Sequence, residues 1–141
     1  MSNPVKTLTG VLGVVFVLVG ILPFLGGLGL VGDGQLFHTN VGHDLVHILT
    51  GVIYLLMVTT LVTTENTKRV LIVFGIIYLL IAVLGFIVVG ASSGNVSGLL
   101  GLGLVEVNQA DNFLHVVLAL AILGVAALEG ENEPAPQKEN M

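Results

Sequence analysis

The sequence predicts an all-α membrane protein, in which four transmembrane helices form two parallel-repeat helical hairpins in one bundle. Three observations predict this fold class. The mean hydropathy is +1.05 and 9% of the residues are charged, which is not the composition of a soluble domain. Four continuous apolar runs are each long enough to cross a hydrocarbon core of about 30 Å. Finally, the second half of the chain repeats the pattern of the first.

The four apolar runs are expected to be helices rather than strands of a closed barrel. They are continuously apolar and lack the alternation of period two that is typical of barrel strands. The first run is interpreted as a retained helix, because the Gly-rich stretch after it has no convincing signal-peptide cleavage site. The fourth run is the shortest. The predicted spans are 9–30, 41–62, 70–91 and 112–128.

Basic residues indicate the orientation, because Lys and Arg near helix ends are held on the cytoplasmic side. Lys6 precedes the first run, Lys68 and Arg69 separate the second from the third, and Lys138 lies in the tail. The other two connections contain no Lys or Arg. We therefore expect an integral protein of the cell (inner) membrane with both termini in the cytoplasm.

Composition also divides the chain and excludes some functions. The four-helix domain is expected at 1–128, followed by an acidic, disordered cytoplasmic tail at 129–141, whose Glu, Asn and Pro content disfavours folding. The chain has no cysteine, so a metal site would have to use nitrogen and oxygen ligands. The sequence has no cluster of basic residues of the kind that binds nucleic acid, so no nucleic-acid partner is expected.

An internal repeat relates the two halves, with repeat one at about 6–62 and repeat two at about 68–128. The first helices match at an offset of 62, and the second helices match at an offset of 68. Each repeat contributes two helices, so both repeats would enter the membrane in the same direction. In the second match Asn40 aligns with Asn108, His43 with Asp111, Asp44 with Asn112, and His47 with His115.

The aligned polar residues form the motifs N-x-x-H-D-x-x-H and N-x-x-D-N-x-x-H, each at the start of a membrane helix. If the asparagines are N-caps, His43 lies above His47 on one helix face, because residues four apart are neighbours on a helix. Asp111 lies above His115 in the same way. If the two faces meet, three imidazoles and one carboxylate converge.

These motifs and the hairpin pattern resemble the small prokaryotic four-helix membrane proteins of domain of unknown function family 4383. The resemblance covers almost the whole chain except the acidic tail. It implies a four-helix membrane fold and brings no established activity.

The first functional interpretation is a small non-enzymatic membrane protein, either a structural or accessory component or a partner-binding scaffold. The asparagines would cap helices, Asp111 would support a cap, and buried histidines would hydrogen-bond between the halves. Its partners would be the lipid bilayer and another membrane protein or a second copy. We expect no enzyme, because a nucleophile elbow and a phosphate-binding glycine motif are both missing. The polar cluster would comprise Asn40, His43, Asp44, His47, Asn108, Asp111, Asn112 and His115.

Two alternatives use the same residues. The first is a Zn, Cu or Fe ion, held by the ligands His43, His47, Asp111 and His115, or a haem with His47 and His115 as axial ligands. The second is a proton or small-solute pathway, although residues 116–128 of the fourth helix contain no polar side chain. His38 is expected to be a solvated loop residue or at most a peripheral ligand.

Overall fold

The computed structural model describes residues 3–90, 98–100 and 104–129. The predicted disordered tail therefore lies outside the described residues, apart from its first residue. The part that is described is built from four helices and one short antiparallel strand pair. These elements are α1 (Pro4–Ile21), α2 (Val41–Met57), α3 (Thr64–Val89), β1 (Gly98–Leu100), β2 (Val105–Val107) and α4 (Gln109–Ala127).

Helix α1 begins earlier and ends earlier than the apolar run predicts. Asn3 caps its start, because the Asn3 side chain accepts hydrogen bonds from the N–H groups of Val5 and Lys6. The expected continuation to residue 30 is wrong. A short 3-10 turn containing Pro23 follows α1, and Gly26 ends that turn with a φ of 94°, a left-handed conformation that glycine adopts without strain.

Helix α2 is the shortest of the four, with 17 residues, although the sequence predicted the fourth to be the shortest. It ends at Met57 rather than at residue 62, and the chain then turns, with the Thr59 hydroxyl donating to the Leu56 carbonyl over 2.9 Å. Helix α3 begins at Thr64 because the Thr63 side chain accepts from the Asn66 N–H. Hydroxyl groups therefore set both ends of this connection.

Three of the described helical segments are long and apolar enough to cross a membrane: Pro4–Leu25, Thr64–Val89 and Gln109–Ala127. Helix α2 is apolar but shorter. Many large apolar side chains on these helices stay exposed, including Leu18 at 60% and Ile87 at 73%. The all-helical class is therefore confirmed for the main elements. The strand pair between α3 and α4 is an addition that the sequence did not predict, with Leu99 opposite Glu106.

The helices pack mainly as two pairs, α1 on α2 and α3 on α4. Glycines allow close approach within each pair: Gly13 lies against Leu55, and Gly75 lies against Leu123. Aromatic rings fill the space between the pairs, where Phe16 meets Tyr78 with ring centroids 5.2 Å apart. These two rings also pack against the buried histidines, Phe16 against His47 and Tyr78 against His115.

Candidate functional site

The polar site begins at the caps of α2 and α4. The Asn40 Oδ1 atom accepts from the His43 N–H at 3.0 Å, and the Asn108 Oδ1 atom accepts from the Asp111 N–H at 3.0 Å. Asp111 Oδ2 accepts in return from the Asn108 N–H at 2.9 Å, which completes a capping box. These caps fix where the first turn of each helix begins, and therefore the position of the histidines along the helix axis.

Three histidines converge between the helix pairs, and we call His43, His47 and His115 the histidine triad. Each offers one ring nitrogen, and these three nitrogens lie within 4.8 Å of one another. The residues are buried, with 2%, 3% and 2% of their surface exposed. The rings of His43 and His47 stack with centroids 4.9 Å apart, and the rings of His43 and His115 lie 5.3 Å apart. The structure thus brings residues from α2 and α4 into one group.

The hydrogen bonds of His43 indicate its tautomer. Its Nδ1 atom lies 2.7 Å from the backbone carbonyl oxygen of Glu106, and a carbonyl can only accept, so Nδ1 carries the proton. The lone pair therefore lies on Nε2. That atom is 3.1 Å from Nε2 of His47, inside the triad. The backbone of β2 thus turns the His43 lone pair toward the centre of the group.

Two other ring nitrogens of the triad lack hydrogen bonds. Nδ1 of His47 and Nδ1 of His115 are buried and have no hydrogen-bond partner among the described residues. Buried polar atoms are almost always paired, and an unpaired one points to an ion, a water molecule or a functional role. Two of the three buried imidazoles therefore each have one ring nitrogen without a partner among the described residues.

The predicted fourth ligand, Asp111, is not part of this group. Its carboxylate is engaged at its own helix start, where it accepts from the Asn108 N–H. Asp44 and Asn112 are buried but also serve packing: the Asn112 amide fills the space beside Gly85, and the Asp44 carbonyl lies close to Gly20.

His38 and Glu106 form a contact that the sequence reasoning missed. His38 Nδ1 accepts from the Gly34 N–H at 3.0 Å, and Nε2 lies 2.8 Å from Glu106 Oε2. The expectation of a solvated His38 is wrong, because only 13% of its side chain is exposed. The two residues align at the repeat offset of 68, so their pairing across the halves had a signal in the sequence.

Further hydrogen bonds join the connection between α1 and α2 to the connection between α3 and α4. Asn40 Oδ1 also accepts from the Glu106 N–H at 3.3 Å, and Asn108 Nδ2 donates to the Leu36 carbonyl at 2.9 Å. Gly42 lies directly under the Leu104 carbonyl, where any larger residue would collide. The described residues of the two connections are therefore held to each other by hydrogen bonds near the starts of α2 and α4.

The sequence profile of a family described as "Domain of unknown function (DUF4383)" matches residues 6–128. The chain belongs to this family. The DUF4383 match includes the histidine triad, the whole of α2, α3 and α4, and all of α1 except its first two residues, and it confirms the resemblance drawn from the polar motifs. No curated protein and no solved structure matches the chain.

Two small cavities flank the triad of this DUF4383 protein. One has a volume of about 70 Å³ and is lined by the triad and Tyr78, with Val46, Ile81 and Val105 as aliphatic walls. The other, also about 70 Å³, lies between Phe16 and His47 on α1 and α2 and Leu114 and Leu118 on α4. A drug-sized ligand occupies roughly 300 Å³ or more, so neither cavity has room for a haem. The geometry suits an ion.

Proposed function

We propose that this DUF4383 protein is a membrane protein that binds one transition-metal ion through His43, His47 and His115. The observation that carries the proposal is the convergence of three buried ligand nitrogens within 4.8 Å. Imidazole nitrogen is a preferred ligand of Zn, Cu and Fe. Asp111 was the fourth ligand of the predicted set, and among the described residues no other side chain takes its place. The proposed site therefore has three protein ligands.

Two features of His43 support this proposal. Nitrogens bound at about 2.0–2.1 Å to one tetrahedral ion lie about 3.3 Å apart, close to the 3.1 Å between Nε2 of His43 and Nε2 of His47. Metal-binding histidines also almost always donate their other ring N–H to a carbonyl or carboxylate. The contact of His43 with the Glu106 carbonyl has this form.

The test is elemental analysis and an optical spectrum of the full chain, purified in detergent without a nickel column. We expect about one Zn, Cu or Fe ion per chain and no Soret band. Protein purified after metal-chelator treatment serves as the control and should regain the ion. A folded protein that is metal-free and takes up no added ion would contradict the proposal.

The second candidate is a non-enzymatic structural, accessory or partner-binding component whose polar cluster joins the two halves. The contact of His38 with Glu106 and that of Asn108 with Leu36 favour it, because both connect residues far apart in the chain. The metal-free, folded outcome of the same measurement supports this candidate. A hydrophilic pathway is not favoured, because the rings of Phe16 and Tyr78 pack beside the triad.

We further propose that α2 crosses the membrane as a fourth span, so that two parallel hairpins are related by the internal repeat. Its 17 residues would extend about 25 Å along the helix axis, near the lower limit for a span. Matched contacts support the repeat: Phe16 lies on His47, and Tyr78 lies on His115. The exposed apolar faces are suited to lipid.

A cysteine-accessibility experiment tests the topology, because the chain has no native cysteine. Gln35 and Asn66 are both exposed. Gln35 lies in the chain before the start of α2, and Asn66 lies after its end. We expect Gln35→Cys to react with an impermeant maleimide in intact cells and Asn66→Cys to react only after lysis, which matches cytoplasmic Lys68 and Arg69. Labelling of both variants in intact cells, or of Asn66→Cys alone, would contradict the proposed orientation.

A further inference from the structure

Among the residues that the structure describes, none outside the triad offers a further ligand atom to the cavity beside it. The residues that line it are the three histidines, Tyr78, Val46, Ile81 and Val105. The Tyr78 hydroxyl is directed to Thr50 Oγ1, at 3.4 Å, rather than to the triad. An ion held by the triad would therefore have three protein ligands and one position facing this space. Metal sites with three protein ligands use such a position for water or a substrate.

The size of the cavity limits what can occupy it. Its volume is about 70 Å³. A drug-sized ligand occupies roughly 300 Å³ or more, so the space suits only a small molecule of a few heavy atoms. The second cavity has a similar volume but contacts only His47 of the triad, which makes it a poorer place for a metal ligand.

The walls of the cavity favour a neutral molecule. Val46, Ile81 and Val105 offer no hydrogen bonds, and the cavity lies between apolar helices. An anion would lose its hydration there without replacement, which costs several kcal/mol in an apolar environment. A neutral diatomic molecule has no charge to desolvate, so it loses little on leaving water.

We infer that a triad-bound iron or copper ion keeps an open coordination position, and that this position binds a neutral diatomic molecule of the dioxygen or nitric oxide class inside the cavity. The inference rests on the proposed metal site. Binding forms one bond from the ion to the diatomic molecule and displaces at most a water molecule.

The test uses the full chain loaded anaerobically with Fe²⁺, with the iron content measured on every sample. Nitric oxide is then added, and the iron–nitrosyl complex is followed by electron paramagnetic resonance and optical titration. We expect about one nitric oxide per iron. Ile81→Trp should weaken this binding by at least about tenfold and retain the iron, because the indole takes up the cavity volume.

The matched control is Leu80→Trp, which places the same side chain on the neighbouring residue, 55% exposed on the outer face of α3. It should bind nitric oxide like the native chain. If Ile81→Trp loses its iron, Val46→Phe tests the same cavity from α2. Iron-loaded native protein that fails to bind nitric oxide, or cavity variants that bind it normally, would overturn the inference and leave the metal site intact. Protein that binds zinc but neither iron nor copper would overturn the inference and leave the metal site intact. Failure to bind any of the three ions would overturn both.

Discussion

Replacing His47 by Ala is expected to weaken metal binding by more than about 100-fold, because loss of an outer partner of a metal ligand alone costs about 10- to 100-fold. His47 contacts both other members of the triad: its ring is 4.9 Å from that of His43 and 6.0 Å from that of His115. Removing it leaves two ligands on opposite helix pairs. Metal content after competition with a chelator measures the effect.

Two variants serve as controls for this experiment. Asp111→Ala removes the capping box, which should cost about 1 kcal/mol of stability, but it should retain the ion because the Asp111 carboxylate is engaged with Asn108. His47→Gln preserves a hydrogen-bonding side chain, and should keep the fold while losing the ion. If Asp111→Ala lost the metal and stayed folded, the four-ligand set would be correct. If His47→Ala bound the ion normally, the triad would not be the site.

Gly51→Ala is expected to destabilise the first helix pair by about 1–3 kcal/mol or more, the typical cost of overpacking. A Cβ atom at Gly51 would lie 2.6 Å from the Gly13 carbonyl oxygen and 2.7 Å from the Val17 backbone nitrogen. Both are backbone atoms of α1, so the helices must move apart to admit the methyl group. Thermal unfolding of the detergent-solubilised protein should show a clearly lower Tm.

Gly124→Ala is the matched control, since it makes the same change inside α4, where a Cβ atom would meet nothing within 4 Å. We expect its stability to be unchanged or raised by up to about 1 kcal/mol, because Ala favours the helix more than Gly does. Equal Tm values for the two variants would contradict the close approach of α1 and α2. The metal content of Gly51→Ala should fall together with its stability, because His47 lies one turn from the contact.

The membrane helices could be predicted from sequence because length and hydropathy are local properties. The caps could be predicted as well, since an Asn side chain reaches the N–H groups of the next turn without help from the rest of the fold. Some helix ends were still wrong. The end of α1 depends on the turn at Pro23 and Gly26. The end of α2 depends on a turn that contains threonines, and a hydropathy profile does not separate this turn from the apolar run before it.

The candidate site was predictable in part. The spacing of four placed His43 and His47 on one face, and the repeat offset indicated that His115 occupies the matching place in α4. The same reasoning added Asp111 to the ligands, because spacing alone does not show which way a carboxylate turns. A carboxylate at the third position of a helix can satisfy its own N-cap at short range, and that bond is the one that Asp111 makes.

The sequence by itself determined that the chain is a bundle of apolar helices, where α2 and α4 begin, and which faces carry the histidines, because these properties follow from composition and from spacing along one helix. Only the tertiary structure decided that β2 supplies the carbonyl that orients His43 and that Glu106 pairs with His38. The physical reason is that these contacts join residues more than 60 positions apart. Their geometry depends on how the two helix pairs dock, and docking is set by the rings and glycines between helices rather than by any local pattern.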